Sequence, residues 1–262
     1  MTLRALAPAD LDDLLVLTVA AGWNQTPEDW LRVLRLAPAG CFGIELDGHV
    51  VATATLVEYG DLGWIGMVLT HPDYRRRGLA LRLMRTSMES ARARVLRLDA
   101  TAMGAPLYRQ LGFIDEHPIE RWMRPAGPAG PAPALAPFRL SDWAEIDAEA
   151  FGADRSTLLA ALGEGEACAD GYALSRPGRL AAYFGPCLAF TPAAAESLLE
   201  CFLARHGAGT TAWDLDPGHP HAPALAARYG FQPARALIRM RLGPGAPYRP
   251  EPLYAPAGFE FG

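Results

Sequence analysis

The stretch Val68-Leu-Thr-His-Pro-Asp-Tyr-Arg75-Arg-Arg-Gly78-Leu-Ala80 contains the most informative pattern in this sequence. It predicts a strand that ends before Pro72, followed by a basic turn that contains Gly78 and opens a helix. The N–H groups in the first turn of a helix lack partners within the helix, and the helix dipole adds positive charge there. Together with three arginines, this arrangement favours binding of a pyrophosphate group. The alternative is an ordinary solvated helix start.

The segments on both sides of this stretch alternate between strand and helix patterns. Strands are predicted at residues 2–6, 41–46, 50–57, 64–70, 95–100 and 120–124. Apolar periodicity and capping residues predict helices that begin near Asp10 and Thr26, a long helix over 76–94 and a short one over 105–111. The order β-α-α-β-β-β-α-β-α-β indicates an α/β domain with a mixed sheet.

A proline-rich segment divides the chain into two halves of similar size. Five prolines between residues 125 and 137 exclude a helix interior and a central strand, so we predict an extended linker. After it the pattern returns, because Tyr229-Gly-Phe231 repeats Leu111-Gly-Phe113, and Phe184-Gly-Pro186 repeats Ile65-Gly-Met67. Two repeats at nearly the same spacing indicate a duplicated domain.

We therefore predict a domain over residues 1–124, a linker over 125–137, a second domain over 138–246 and a tail over 247–262. The tail is rich in proline and glycine, yet it holds four aromatic residues: Tyr248, Tyr254, Phe259 and Phe261. So many aromatic side chains argue against a free tail, and we expect it to pack on the protein surface or on a partner subunit.

Composition excludes several classes of function. The chain has 262 residues, its 24 basic residues are all arginine, and its net charge is −5. Without lysine there is no Schiff-base lysine and no Walker-A loop, and the negative charge disfavours nucleic-acid binding. Four cysteines without CxxC spacing indicate reduced thiols in a cytoplasmic protein, and we predict neither a metal site nor a membrane association. A monomer or a homodimer is expected.

Two motif blocks resemble the GNAT N-acetyltransferase superfamily. Arg75-x-x-Gly78-x-Ala80 matches its (Gln/Arg)-x-x-Gly-x-(Gly/Ala) signature, and the segment from Ala105 through Tyr108 to Gly112-Phe113 resembles its second block. The resemblance extends over nearly the whole chain to bacterial two-domain members of the YitH/HolE type, in which the second half is degenerate. It implies tandem GNAT-like domains with a mixed, mostly antiparallel sheet flanked by helices.

The resemblance implies acetyl-CoA as the donor of an acetyl group. The pyrophosphate would lie on the backbone of 75–80, and the pantetheine would pair with the edge of strand 68–70. Where many members of the superfamily carry an asparagine, this chain has Ala102, so Thr101 is expected to supply part of the anchoring. The predicted cofactor-binding residues are Val68, Leu69, Thr70, Arg75, Arg76, Arg77, Gly78, Leu79, Ala80 and Thr101.

The expected chemistry is direct attack of a primary amine on the thioester in a ternary complex. By resemblance, Tyr108 holds the position of the general acid. An oxyanion donor is expected among the backbone N–H groups of Val68 and Leu69. For the general base, Asp99 is the first choice, Glu58 the second, and a base acting through water is a further alternative.

The acceptor is expected between the first two helices, near Trp23 and Asn24, and Asp154 with Arg155 is a further polar pair that could face the cleft. The second half lacks the phosphate motif after Thr191 and has Ala226 at the position that matches Tyr108, so we expect no acetyl-CoA there. The predicted function is N-acetylation of a small-molecule amine. The alternatives are an acyl-CoA-binding regulatory or sensor module without turnover, and acetylation of a protein or peptide amine.

Overall fold

The fold was analysed in a computed structural model that describes residues 1–245 and 249–262. Its helices are α1 Leu11–Ala20, α2 Pro27–Leu36, α3 Leu79–Ser90, α4 Ala105–Gln110, α5 Leu140–Phe151, α6 Ser156–Leu162, α7 Pro192–His206 and α8 Ala222–Arg228. Its strands are β1 Thr2–Ala5, β2 Cys41–Leu46, β3 His49–Tyr59, β4 Leu62–Thr70, β5 Val95–Ala100, β6 Ile114–Arg124, β7 Ala136–Pro137, β8 Gly165–Cys168, β9 Gly171–Arg176, β10 Ala182–Ala189, β11 Thr211–Leu215, β12 Gln232–Leu242 and β13 Leu253–Ala255.

All of these strands join one continuous sheet in the order β1-β2-β3-β4-β5-β12-β6-β11-β10-β9-β8-β7, with β13 beside β10. Most neighbours are antiparallel, while β4 with β5 and β10 with β11 are parallel. The two halves exchange their last long strands: β12 of the second half pairs with β5, and β6 of the first half pairs with β11. The fold is the mixed, mostly antiparallel tandem architecture that the motifs predicted, but the sheets of the two halves are merged.

Two elements differ from the sequence prediction for local reasons. Helix α3 begins at Leu79 rather than Arg76, because Arg76 and Gly78 have φ values of 59° and 74°, outside the helical region. Strand β6 begins at Ile114 rather than residue 120, although it contains Pro118. Proline usually marks a strand edge, so the sequence pattern missed this part of β6.

The largest core cluster combines residues of both halves. It includes Trp30 and Leu14 from the first half and Trp143 and Leu158 from the second. A hydrogen bond from Arg32 Nε to the carbonyl oxygen of Ala161, 3.1 Å long, links α2 to α6. The halves are therefore packed into one structure rather than hung on a flexible linker.

Much of the described part of the tail, residues 249–262, is buried against the rest of the protein. Strands β10 and β11 pair only at their first residues, and β13 pairs with β10 at Cys187 and Leu188, where the other two strands have separated. Tyr254 and Phe261 are buried, which is deeper than the surface packing predicted from the sequence, whereas Tyr248 lies outside the described residues. Residues 257–262 then cross to the first half, where Trp64 Nε1 donates to the carbonyl oxygen of Phe259 at 3.0 Å.

Candidate active site

A cavity opens where β4 and β5 separate. These strands pair in parallel only over Leu62–Trp64 and Val95–Arg97, and beyond that point they diverge. Met67, with a φ of 47°, marks an irregular turn of β4, and its carbonyl oxygen accepts a hydrogen bond from Thr53 Oγ1 at 2.8 Å. The divergence leaves backbone groups of β4 facing a cavity of about 530 Å³.

The cavity brings together nearly all predicted cofactor-binding residues. Those that line it are Val68, Leu69, Thr70, Arg75, Arg76, Gly78, Leu79, Ala80 and Thr101. Arg77 is the exception: its Nη2 donates to the carbonyl oxygen of Asp73 at 3.1 Å, and its guanidinium lies 5.0 Å from the centre of the Tyr74 ring. The placement predicted for Arg77 is therefore corrected, because a local contact with Tyr74 holds its side chain elsewhere.

The turn before α3 is shaped to receive an anion. Arg76 and Gly78 have positive φ values, whereas Arg77 between them does not. This alternation of backbone conformation makes successive N–H groups converge. No side chain caps the start of α3, so the N–H groups of its first turn remain available. A Cβ added at Gly78 would meet nothing within 4 Å, which shows that the space above the turn is open.

Tyr108 lies at the other side of the cavity on α4. It is 8% exposed, and its ring packs 6.2 Å from that of Phe113 and against Gly104, where a Cβ would come within 2.9 Å of Tyr108 Cε2. Within the described residues its hydroxyl has no hydrogen-bond partner. Burial raises the pKa of Tyr108 above its ordinary value of 10, so the phenol stays protonated at neutral pH and can donate a proton.

Thr101 holds the turn that leads into α4. Its Oγ1 accepts a hydrogen bond from the N–H of Gly104 at 3.2 Å, and its carbonyl oxygen accepts from the N–H of Ala105 at 2.9 Å. Thr101 therefore lines the cavity and also fixes the orientation of the short helix that carries Tyr108.

Asp99 lines the cavity, but its carboxylate is engaged. Arg239 of β12 donates to both carboxylate oxygens at 2.9 Å, and the Asp99 side chain is 0% exposed. The strand exchange creates this ion pair, because Arg239 faces Asp99 in register across the two halves. Both oxygens of Asp99 are thus occupied by one arginine, which corrects the first choice for the base.

Glu58 lies away from the cavity. It is near the end of β3, where β3 pairs with the start of β4, and its Oε1 accepts from the N–H groups of Arg92 and Ala93 at 2.7 Å each. Its role in the structure is to cap the turn between α3 and β5. The sequence showed that Glu58 ends a strand but not that this end of the sheet faces away from the cleft.

Sequence reasoning missed the second carboxylate that lines the cavity, Glu260 of the tail. Its Oε1 accepts from Arg176 Nη2 at 2.7 Å, and its Oε2 accepts from Gln25 Nε2 at 2.9 Å. Burial raises the pKa of Glu260 and Asp29 adds to this shift, while Arg176 opposes it. A Cβ on Gly66 would come within 2.8 Å of the Glu260 carbonyl oxygen, so Gly66 permits the tail to lie against β4.

Of the predicted acceptor residues, only Trp23 lines the cavity. Asn24 instead binds the second half: its Nδ2 donates to the carbonyl oxygen of Ala181, and its Oδ1 accepts from the N–H groups of Leu180 and Ala181. An amide next to a turn can serve either purpose, and its partner here comes from a loop far along the chain.

Asp154 and Arg155 also lie outside the cavity. Asp154 is exposed, and its Oδ1 accepts from the N–H of Ser156 at the start of α6. Arg155 is buried in a two-bond ion pair with Asp147, at 2.8 and 2.9 Å, and its Nη1 donates to the carbonyl oxygen of Gly262. These contacts correct the substrate role predicted for the pair, since both residues serve the packing of the second half.

The corresponding cleft of the second half is filled by the chain itself. Tyr254 of β13 lies between the diverging strands, where its carbonyl oxygen accepts from Trp213 Nε1 at 2.9 Å and its ring lies 4.4 Å from that of His219. Thr191 Oγ1 caps the start of α7 by accepting from the N–H of Ala194, and Ala226 is buried where the first half has Tyr108. Within residues 1–245 and 249–262, the second cleft is therefore occupied by Tyr254, and the start of its helix is capped by a side chain.

Comparisons with known proteins match both halves to one family. Residues 11–113 match the acetyltransferase (GNAT) family model, and residues 143–255 match a second model, an acetyltransferase (GNAT) domain. The chain is a tandem GNAT protein. It is 31% identical over 158 residues to the uncharacterized N-acetyltransferase YitH of Bacillus subtilis; that match covers 57% of this chain and about half, 55%, of YitH.

Solved structures agree on the tandem GNAT architecture. A candidate acetyltransferase from Pyrococcus horikoshii is 25% identical with a TM-score of 0.89, covering 100% of this chain and 95% of that one. A tandem GNAT protein from the clavulanic acid biosynthesis pathway is 17% identical with a TM-score of 0.66, covering 93% of this chain and 99% of that one. The latter likeness bears on the fold alone.

Two further observations concern ligands and membranes. Across residues 1–245 and 249–262, no group of three or more His, Cys, Asp or Glu side chains is arranged to hold a metal ion. In the same part of the chain, no helix combines the length and the apolar character needed to cross a membrane.

Proposed function

We propose that this tandem GNAT protein transfers an acetyl group from acetyl-CoA to the primary amine of a small molecule, by direct attack in a ternary complex. The observation that carries the proposal is the single cavity that connects the anion-receiving turn at Arg75–Ala80 with Tyr108 and with the wall formed by Trp23 and Glu260. Donor-binding and acceptor-binding surfaces thus meet at the separated strands β4 and β5.

The residues present fit acetyl-CoA. Free N–H groups at the start of α3 and the left-handed residues Arg76 and Gly78 suit a pyrophosphate, and Arg75 and Arg76 add positive charge. The exposed backbone of β4 beyond Trp64 suits the amide groups of a pantetheine arm. When bound, acetyl-CoA supplies an activated acyl thioester beside Val68 and Leu69.

The chain's own groups have distinct parts in the proposed reaction. Backbone N–H groups of Val68 or Leu69 stabilise negative charge that develops on the acyl oxygen. The protonated hydroxyl of Tyr108 donates to the departing thiolate. Glu260 differs from Asp99 in that only one of its oxygens accepts from an arginine, while the other accepts from the neutral amide of Gln25. Its carboxyl also has a raised pKa, so Glu260 is the candidate that removes a proton from the ammonium form of the acceptor.

The enclosure of the cavity favours a small acceptor over a protein or peptide. Leu237 of β12 and Phe259 of the tail form part of the wall, so the second half and the tail cover part of the cleft, and a bounded cavity suits a small molecule. A sensor without turnover is the second candidate function, because the same cavity would bind an acyl-CoA without transferring its acyl group.

The test combines binding and turnover. Acetyl-CoA should raise the melting temperature of the wild type. Gly78→Glu should abolish this shift, because it puts a negative carboxylate at the anion site and forces a side chain onto a backbone with a positive φ. Release of free CoA thiol across a panel of amines separates the two functions. Turnover with any amine supports the enzyme, whereas tight binding without turnover supports the sensor. No thermal shift in the wild type would contradict both.

A further inference from the structure

One arginine in the acceptor part of the cavity has no counter-ion. Arg235, near the start of β12, is half-buried and lines the cavity, yet its side chain has no hydrogen bond and no ion pair to any residue of 1–245 or 249–262. Burial and the neighbouring Arg121 lower the pKa of Arg235, and Asp214 opposes them. The charged guanidinium is therefore held where an anion would stabilise it.

The other charged side chains near Arg235 already form ion pairs with one another. Both oxygens of Asp214 accept from Arg121 at 2.7 Å, so Asp214 is committed to the residue that faces Arg235 in the sheet. The Arg176–Glu260 pair, whose Glu260 lines the same cavity, is neutral. Arg235 thus leaves a surplus of one positive charge on this side of the cavity, which one monovalent anion would neutralise.

A second polar group in the same cavity lacks a partner. Gln25 is 6% exposed and lines the cavity, and its Oε1 is buried with no hydrogen bond in the described part of the chain. Its Nε2 is used by Glu260, which fixes the orientation of the amide. A buried acceptor without a donor is costly, so this oxygen suits a ligand N–H.

We propose that the acceptor is a small aminocarboxylate, in which Arg235 binds the carboxylate and Gln25 Oε1 accepts a hydrogen bond from the amine. This inference rests on the proposed acetyl transfer and names its substrate class. A guanidinium pairs with a carboxylate through two parallel hydrogen bonds, which orients the ligand as well as binding it. The single surplus charge favours a carboxylate over a doubly charged phosphate ester.

The experiment compares amines that differ only in the anionic group. Free CoA release is measured with 4-aminobutyrate, butylamine, 1,4-diaminobutane and a phosphate ester of an amino alcohol, and with an α-amino acid beside its amide. The variants are Arg235→Gln, Arg235→Glu and, as a matched control, Arg94→Gln, which removes an exposed arginine outside the cavity. The KM for acetyl-CoA and the melting temperature are measured for each protein.

The wild type should favour the carboxylate member of a pair. Arg235→Gln should reduce that preference about 10- to 100-fold, the range of a hydrogen bond to a charged group, while Arg94→Gln leaves it unchanged. Arg235→Glu should shift the preference towards a diamine, a gain that unfolding cannot produce. An unchanged preference in Arg235→Gln, a raised KM for acetyl-CoA in that variant, or a better phosphate ester would each overturn the inference.

A binding measurement separates this inference from the proposed function. Calorimetry in the presence of CoA, with N-acetyl-4-aminobutyrate and the N-acetyl form of the α-amino acid as ligands, tests the carboxylate site without turnover. One outcome would be that no amine is acetylated, while one of these ligands binds the wild type and binds Arg235→Gln at least about tenfold more weakly. That result would support the carboxylate site and contradict the proposed transferase activity. If neither ligand binds the wild type, the inference is refuted.

Discussion

Replacing Tyr108 with phenylalanine removes one hydroxyl from the cavity and leaves the surrounding packing in place. The ring keeps its contacts with Phe113 and Gly104. Because the hydroxyl has no hydrogen-bond partner in the described residues, the substitution should change the free energy of unfolding by less than about 1 kcal/mol, the net value of one ordinary hydrogen bond. A loss of activity in Tyr108→Phe therefore reports on the reaction and not on folding.

The expected loss of turnover is about 100-fold, at the lower end of the range for a general acid. Thiols have pKa values near 8.5, so a thiolate leaves with only partial help from a proton donor. A 100-fold loss corresponds to about 2.7 kcal/mol of barrier height. Since burial raises the pKa of Tyr108 above 10, the acid form persists up to that pH, and the wild type should show no fall in rate from Tyr108 ionisation below pH 10.

The assay is release of CoA thiol at saturating amine, with the KM for acetyl-CoA and the melting temperature measured in parallel. Tyr229→Phe is the control: it removes a tyrosine hydroxyl of the second half that binds Glu196 and Glu200, far from the cavity in the fold. Tyr108→Phe turnover within twofold of the wild type would refute the acid role. A raised KM with unchanged turnover would make Tyr108 part of the binding wall instead.

Two further substitutions test the carboxylates. Glu260→Gln should lower kcat/KM by about 100-fold or more. It should also remove the fall of kcat/KM at low pH, because the base acts in its deprotonated form and the raised pKa of Glu260 brings its protonation closer to neutral pH. An identical pH profile in the variant would contradict this role. Glu58→Gln should leave acetylation unchanged. It should lower the free energy of unfolding, measured by urea unfolding, by about 1–2 kcal/mol, because an amide is a weaker acceptor than a carboxylate for two backbone N–H groups. Loss of activity in a variant that remains stable would contradict this purely structural role.

Local features of the sequence place Arg75–Ala80 and Tyr108 at the ends of predicted elements, and most of these residues line one cavity in the structure. The turn at Arg75–Ala80 depends on a strand end, a glycine and a helix start within a dozen residues, and such features are set by neighbouring residues. Tyr108 follows from a motif on one short helix. Both lie at the cavity because the local chain conformation alone decides where their groups point.

The surroundings of Asp99 and Asn24 depend on contacts between distant residues, which the local sequence pattern does not show. Asp99 has the strand-end position expected of a base, but Arg239, 140 residues further on, pairs with it. Asn24 has the turn position expected of a substrate contact, but the loop at Ala181 uses its amide. In each case the residue type and its local position were read correctly, and a partner from the other half changed its role.

The second half lacks the phosphate motif of the first, while its residues build part of the wall of the first half's cavity. Strand exchange places Arg235 and Leu237 on the cavity wall, and the tail fills the second cleft before it delivers Glu260 to the first. A tail anchored by β13 pairing can hold a charged residue in a buried position, which a free terminal segment could not do. The residues most able to select an acceptor therefore belong to the half whose own cleft is closed, and changes there can alter specificity without disturbing the anion-binding turn.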